Sequence, residues 1–199
     1  MIEPTAQGAE ATLDELSPVL PLIYRALEGA VQQGREFFGD NEIDRPLFPN
    51  LVRYHVKLAL NKRGLTVVDD NEPHLDHKIL ANNGLLLEYG PRRVRILKAD
   101  HGALPAPGIS RTKQQFYEQL SLLEEPIDTQ KLILLWDVEG GVLDLQLVCP
   151  KSGSERTSSA HWMIPVPHPA EIIETDAPQE AAFEFDLPIS LPQAATDDE

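Results

Sequence analysis

The chain has 199 residues, 17 basic against 32 acidic side chains for a formal charge of −15, 17 prolines and one cysteine. A single cysteine excludes an internal disulfide and a cysteine-built zinc cluster, and a core of this size needs neither. No apolar run reaches the roughly 20 residues of a membrane span, and the acidic start MIEPTAQGAEATLDE lacks the basic and apolar parts of a signal peptide, so a cytoplasmic protein with no membrane contact is expected.

Residues 1–15 read as a flexible acidic leader, and 16–169 as a single domain. Ser17-Pro18 reads as a cap with proline in the first turn. Leu20, Ile23, Leu27, Val31, Gly34 and Phe38 then recur at steps of 3 and 4, which predicts a helix ending at Gly39. A second helix is expected from near Asn50 to Gly64, with Leu51, Val52, His55, Leu58 and Ala59 on its apolar side. Arg53 and Lys57, four apart, share another face of it. Leu65–Val68 reads as a short strand, followed by a polar stretch to Asn83.

The segment GLLLEYGPRRVRILK predicts a hairpin about Gly90-Pro91. That register sets Glu88 opposite Arg93, Leu86 opposite Arg95, Leu87 opposite Val94 and Leu85 opposite Ile96. Alternation places Leu85, Leu87, Tyr89, Val94 and Ile96 on one face, and Glu88, Arg93 and Arg95 on the other. The opposite charges of Glu88 and Arg93 favour this pairing. Ser110 caps an intervening helix, RTKQQFYEQLSLL, that buries Phe116, Leu120 and Leu123. In KLILLWDVEGGVLDLQLVC, Gly140-Gly141 is a hairpin turn that pairs Val138 with Leu143, Trp136 with Leu145, Leu134 with Leu147 and Leu132 with Cys149. HWMIPV, 161–166, adds a strand whose prolines confine it to an edge. The fold class is α+β: two N-terminal helices and an antiparallel sheet of about five strands, built from two hairpins with an intervening helix.

Residues 170–199 form an acidic tail rich in proline and alanine, with a strand-like segment at 183–191. There Phe183, Phe185, Leu187, Ile189 and Leu191 fall on one face. Pro188 and Pro192, both even-numbered, remove donors from one edge alone. The pattern suits addition to one side of a sheet edge, either the protein's own or a partner's.

Charge is segregated along the chain. Residues 45–113 carry 12 basic and 6 acidic side chains, whereas 170–199 carry 9 acidic and no basic ones. Arg53, Lys57, Arg93 and Arg95 are the candidate basic patch, with phosphates as its natural ligands. On the outer face of the second hairpin, Asp137 falls opposite Asp144 with Glu139 beside them. Such carboxylates either stand in water or hold a divalent metal of a nucleic-acid-acting enzyme. The Glu-x-Lys spacing of one nuclease type is absent, because Tyr89 and Gly90 follow Glu88. Asp70, His74, Asp76 and His77 read as a solvated loop rather than a metal site, and Cys149 as a small core residue. No phosphate-binding glycine loop or nucleophile elbow occurs, and no cofactor is expected.

Four features together resemble a group of small uncharacterised bacterial proteins encoded beside helix-turn-helix regulators fused to ImmA/IrrE-type domains. These are the helix QQFYEQL, the glycine-turn hairpin ending in Val148-Cys149-Pro150, the strand Trp162-x-Ile164 and the hairpin LLLEYGPRRVRILK. The resemblance implies a bacterial intracellular component of a toxin–antitoxin-like, prophage-associated or phage-defence pair, with a helix-turn-helix regulator as protein partner. It carries over no catalytic residue. The expectation is therefore a non-enzymatic protein-interaction component of a two-protein pair. The alternatives are a metal-dependent nucleic-acid-acting toxin or nuclease on Asp137, Asp144 and Glu139, and an acidic DNA mimic, against which the basic middle third argues.

Overall fold

A computed structural model of the chain describes residues 6–39, 46–65, 85–100, 102–120, 129–139 and 141–172. The expected strand at 66–68, the histidine-bearing stretch with Asp70, His74, Asp76 and His77, Leu123, and the tail segment with Phe183, Phe185, Leu187, Ile189 and Leu191 lie outside these residues.

Three helices lead the chain: α1 at Ala6–Leu16, α2 at Leu20–Phe38 and α3 at Leu47–Lys62. The first lies where the sequence reads as a flexible leader. Ala9 and Leu16 are buried, and Thr12 between them returns its hydroxyl to the Gly8 carbonyl at 2.6 Å. A short helix with alternating acids gives little periodicity of its own, and contact with the core is what stabilises it. Residues 17–19 form the turn into α2, so Val19, without a side-chain bond, stands at the cap instead of Ser17. All six apolar positions predicted for α2 are buried, and Gly39 ends it at φ 54°.

In α3 the buried positions are Phe48, Val52, Val56 and Leu60. The core-facing stripe is thus rotated from the one expected around Leu51, His55 and Leu58, because Phe48 anchors it against α2. The rings of Phe38 and Phe48 stand 6.5 Å apart, and a Cβ on Gly34 would fall 2.9 Å from the Phe48 ring. Gly34→Ala is expected to lose about 1 kcal/mol net, since displacing that ring outweighs the better helix propensity. Urea denaturation gives the answer, and a variant more stable than the parent would show that Phe48 swings aside freely.

Five strands follow in one sheet: β1 at Leu85–Tyr89, β2 at Arg92–Lys98, β3 at Gln130–Glu139, β4 at Val142–Gly153 and β5 at Ser158–Pro165, in spatial order β1-β2-β3-β4-β5. The α+β class holds. Both hairpins have the expected registers, including Glu88↔Arg93, Leu87↔Val94, Trp136↔Leu145 and Asp137↔Asp144. One correction concerns direction. β2 and β3 run parallel, with Arg93 opposite Lys131 and Ile96 opposite Leu134, so the sheet is mixed. Residues 99–129 between them carry α4, at Arg111–Tyr117, to the far face, which is the crossover that a parallel pair requires. Ser110 caps α4 by accepting from the Lys113 amide. The helix is shorter than predicted: Phe116 and Tyr117 are buried, while Leu120 lies beyond it and is exposed.

The sheet is therefore buried on two sides. Leu85, Leu87, Val94, Ile96, Leu134 and Trp136 pack under α1–α3. Leu86, Leu97, Ile133, Leu135 and Val148 pack under Phe116 and Tyr117. A four-residue turn of helix, α5 at Pro169–Ile172, follows β5. Just before it, the His168 ring packs edge-on against Tyr24 at 4.8 Å, with Nε2 3.3 Å from Glu28, and Tyr24 bonds the Leu143 carbonyl.

Candidate functional site

The four residues of the expected basic patch fall on opposite sides of the sheet. Arg53 and Lys57 stand on α3, above the face that carries Val94 and Ile96. Arg93 and Arg95 alternate with those two residues and point to the α4 face. They are also not a surface, since Arg95 is 3% exposed and its strand neighbour opposite Arg93, Lys131, is 1% exposed. The single patch is thus corrected to two unrelated sets. Hydropathy misleads here because a guanidinium with a long stem can be enclosed by a packed sheet.

Arg93 keeps the predicted Glu88 partner at 2.9 Å. Arg92, on the helix face, donates to Glu15 of α1. Lys131 donates its ammonium to the Leu120 carbonyl. Burial pushes the Arg95 guanidinium down to about 10, against the opposing influence of Tyr117. Burial likewise pushes the Tyr117 phenol up to about 12, opposed by Arg95, and its hydroxyl donates to the Pro105 carbonyl at 2.6 Å. Lys113 is lowered by burial and then by Arg95. These groups tie α4 and its flanking loops to the sheet.

Asp137 and Asp144 are opposite each other as expected, and each carboxylate has its own donor. Asp137 Oδ1 accepts from the Val138 amide at 2.9 Å and lies 3.5 Å from Lys98 Nζ. Asp144 Oδ2 accepts from Gln146 Nε2 at 3.1 Å. Glu139 sits in the ladder opposite Val142, and its side chain lies outside the described atoms. Among the described residues, no group of three His, Cys, Asp or Glu side chains is arranged to hold a metal. Cys149 is buried in the core, as its place in the hairpin suggested.

Two surfaces of the helical layer carry chemistry that the sequence reading missed. The first is a cleft of about 190 Å³ between α2, α3 and one end of β1–β3. Val52, Val56, Leu85, Ile96 and Trp136 form its apolar walls, and Asn50, Arg53 and Lys98 its polar ones. The alternation that places Ile96 on the helix face places Lys98 there too, over the Trp136 ring at 6.0 Å.

The second is the outward side of the α2–α3 layer. Phe37 is 67% exposed, Tyr54 58% and Leu47 41%. In α3, Leu47, Tyr54 and the half-buried Leu58 lie on the side opposite Phe48, Val52, Val56 and Leu60, while Leu51 between them packs against the core. That signal was present in the sequence. It was merged with the core stripe because the boundary at Asn50 left out Leu47 and Phe48.

A mixed five-stranded sheet with three helices on one face and one on the other defines an α+β protein. No protein-family model matches the chain, and no significant relative is found among curated proteins or solved structures. No helix among the described residues is long and apolar enough to cross a membrane.

Proposed function

We propose that this protein is a non-enzymatic interaction component that binds a protein partner through the outward side of α2 and α3. The observation that carries the reading is the exposure of Leu47 and Tyr54 on one side of α3, with the half-buried Leu58 a turn beyond and the exposed Phe37 near the end of α2. A helix buried on one side gains nothing in folding from apolar side chains on the other, and exposed aromatic side chains are characteristic anchors of protein interfaces. Pairing with a regulatory protein is the part of the reading that the resemblance after Ser110 supports. The separate donors of Asp137 and Asp144 favour carboxylates that stabilise a turn end over a catalytic pair.

The test compares the full chain with the Leu47→Glu, Tyr54→Glu double variant in capture from the native cell. Both positions are exposed, so thermal unfolding should stay close to that of the parent. Stoichiometric recovery of one protein, reduced about tenfold or more in the double variant, is the expected result. Equal recovery by both forms would remove this surface from the function.

A further inference from the structure

We propose that His168 is a proton-operated cap: uncharged, it holds the start of α5, and on gaining a proton it releases that helix while keeping its hold on α2. The residue order sets this up. His168 precedes Pro169, and proline suits the first helical position, so His168 occupies the capping position of α5. A capping side chain accepts from the amide two or three residues on, and serine, threonine or asparagine does so without titrating. Here the acceptor is an imidazole nitrogen: the Ala170 amide donates to Nδ1 at 3.0 Å. Starting a helix is costly, so at four residues α5 depends on its cap.

The direction of that bond fixes the tautomer. A backbone amide only donates, so Nδ1 carries the lone pair and the ring proton sits on Nε2. Nε2 faces Glu28 Oε1 at 3.3 Å, which makes the neutral ring an acceptor toward α5 and a donor toward α2. The same ring stands edge-on to Tyr24, one turn before Glu28, and the Tyr24 hydroxyl is committed to the Leu143 carbonyl. Glu28 and Tyr24 are the titratable groups of α2 that meet the ring. Arg25 lies three residues before Glu28 on the same helix, and Glu171 of α5 has its side chain outside the described atoms. A proton changes the two sides of the ring in opposite directions. Imidazolium donates from both nitrogens, so a new N–H at Nδ1 confronts the Ala170 N–H, donor against donor, and the cap opens. At Nε2 the contact with Glu28 becomes an ion pair, which keeps the ring on α2. The side chains of His168 and Glu28 are 43% and 44% exposed, so the proton arrives from solvent with no unfolding. The last described element of the fold is thus held by a group that titrates between about pH 5 and 8, as histidines do.

Ring ¹⁵N shifts and amide exchange of the full-length protein, followed from about pH 8 down to about pH 5, test the assignment. At the upper end the ring should show an unprotonated Nδ1, and the Ala170 amide should be protected once the intrinsic pH dependence of exchange is removed. As the ring gains its proton, Ala170 protection should fall about fivefold or more with the same midpoint, while contacts between the His168 and Tyr24 rings persist. His168→Asn keeps an acceptor at the cap that does not titrate, so its Ala170 amide should stay protected throughout. A proton on Nδ1 at the upper end would overturn the proposal. So would Ala170 protection that ignores the protonation of the ring, or a fall of the same size in His168→Asn. Separation of the two rings on protonation would overturn the part assigned to Glu28.

Discussion

Replacing Gln119 by alanine is expected to cost about 3 kcal/mol of stability, a large loss for one polar side chain. Gln119 stands two residues past α4 with φ 58°, and its amide works as a rung between two strands. Nε2 donates to the Lys131 carbonyl at 2.8 Å and the Pro150 carbonyl at 3.0 Å, while Oε1 accepts from the Lys131 amide at 3.0 Å. The paired register of β3 with β4 runs from Glu139↔Val142 to Ile133↔Val148, and β4 has its irregularity at Cys149–Pro150. Beyond that point the glutamine amide satisfies backbone groups that a partner strand would otherwise meet. Lys131 is fully buried, so water is a poor substitute, and each unmet group costs about 1–3 kcal/mol. Urea denaturation of Gln119→Ala should show a lower midpoint with an unchanged slope. A loss below about 0.5 kcal/mol, the range of an ordinary surface substitution, would mean that the clamp is ornamental.

The second large effect is alkaline. Burial pushes the Cys149 thiol up to about 11, against weaker opposing contributions from Gln130 and Arg92. The unfolded thiol loses its proton near pH 9, before the folded one does. Unfolding therefore releases a proton between pH 9 and 11, and stability falls as pH rises through that window by up to about 1.4 kcal/mol per unit. Below pH 9 the contribution is complete. Two other buried groups act higher and oppose each other. The raised Tyr117 phenol lowers stability between pH 10 and 12, and the lowered Arg95 guanidinium raises it above pH 10. Lys113, lowered by burial and by Arg95, likewise raises stability with pH below its ordinary 10.5, so the Cys149 contribution is read as the difference between two proteins. From pH 9 to 10 the stability of the parent relative to that of Cys149→Ala, measured by denaturation midpoints, should fall. The same pH dependence in both proteins would remove Cys149 from the effect.

How much of this was legible in the sequence follows from the range of each interaction. Both hairpin registers could be written down from glycine turns and period-2 alternation, because those signals are local. Whether β2 meets β3 in parallel is decided by where residues 99–129 travel, and strand patterns carry no direction. Val94 and Arg95 read as an in–out alternation, yet both are buried, since α4 covers the second face. The helix α1 was invisible because Glu10, Asp14 and Glu15 dilute its apolar positions, and its partner for Glu15, Arg92, is distant in the chain. For the candidate sites the same division holds. The exposed apolar residues of α3 were on view, whereas the cleft joins Arg53, Lys98 and Trp136 from three separate elements and exists only once they pack.

The parallel step between β2 and β3 also orders the route by which the sheet is made. Its strands lie in space in the order in which they leave the ribosome, so a growing chain can extend the sheet at one edge. Three of the four junctions close between neighbouring strands with short connections. The fourth must wait for residues 99–129, and closing a loop of about 30 residues costs roughly 3 kcal/mol of chain entropy before any pairing returns it. Until then the β1–β2 hairpin has an open inner edge, and Arg93 and Arg95 remain in water. The docking of Phe116 and Tyr117, carried on the crossover itself, therefore belongs to the same kinetic event as the joining of the two hairpins. That joining is the slow, nonlocal step of this topology.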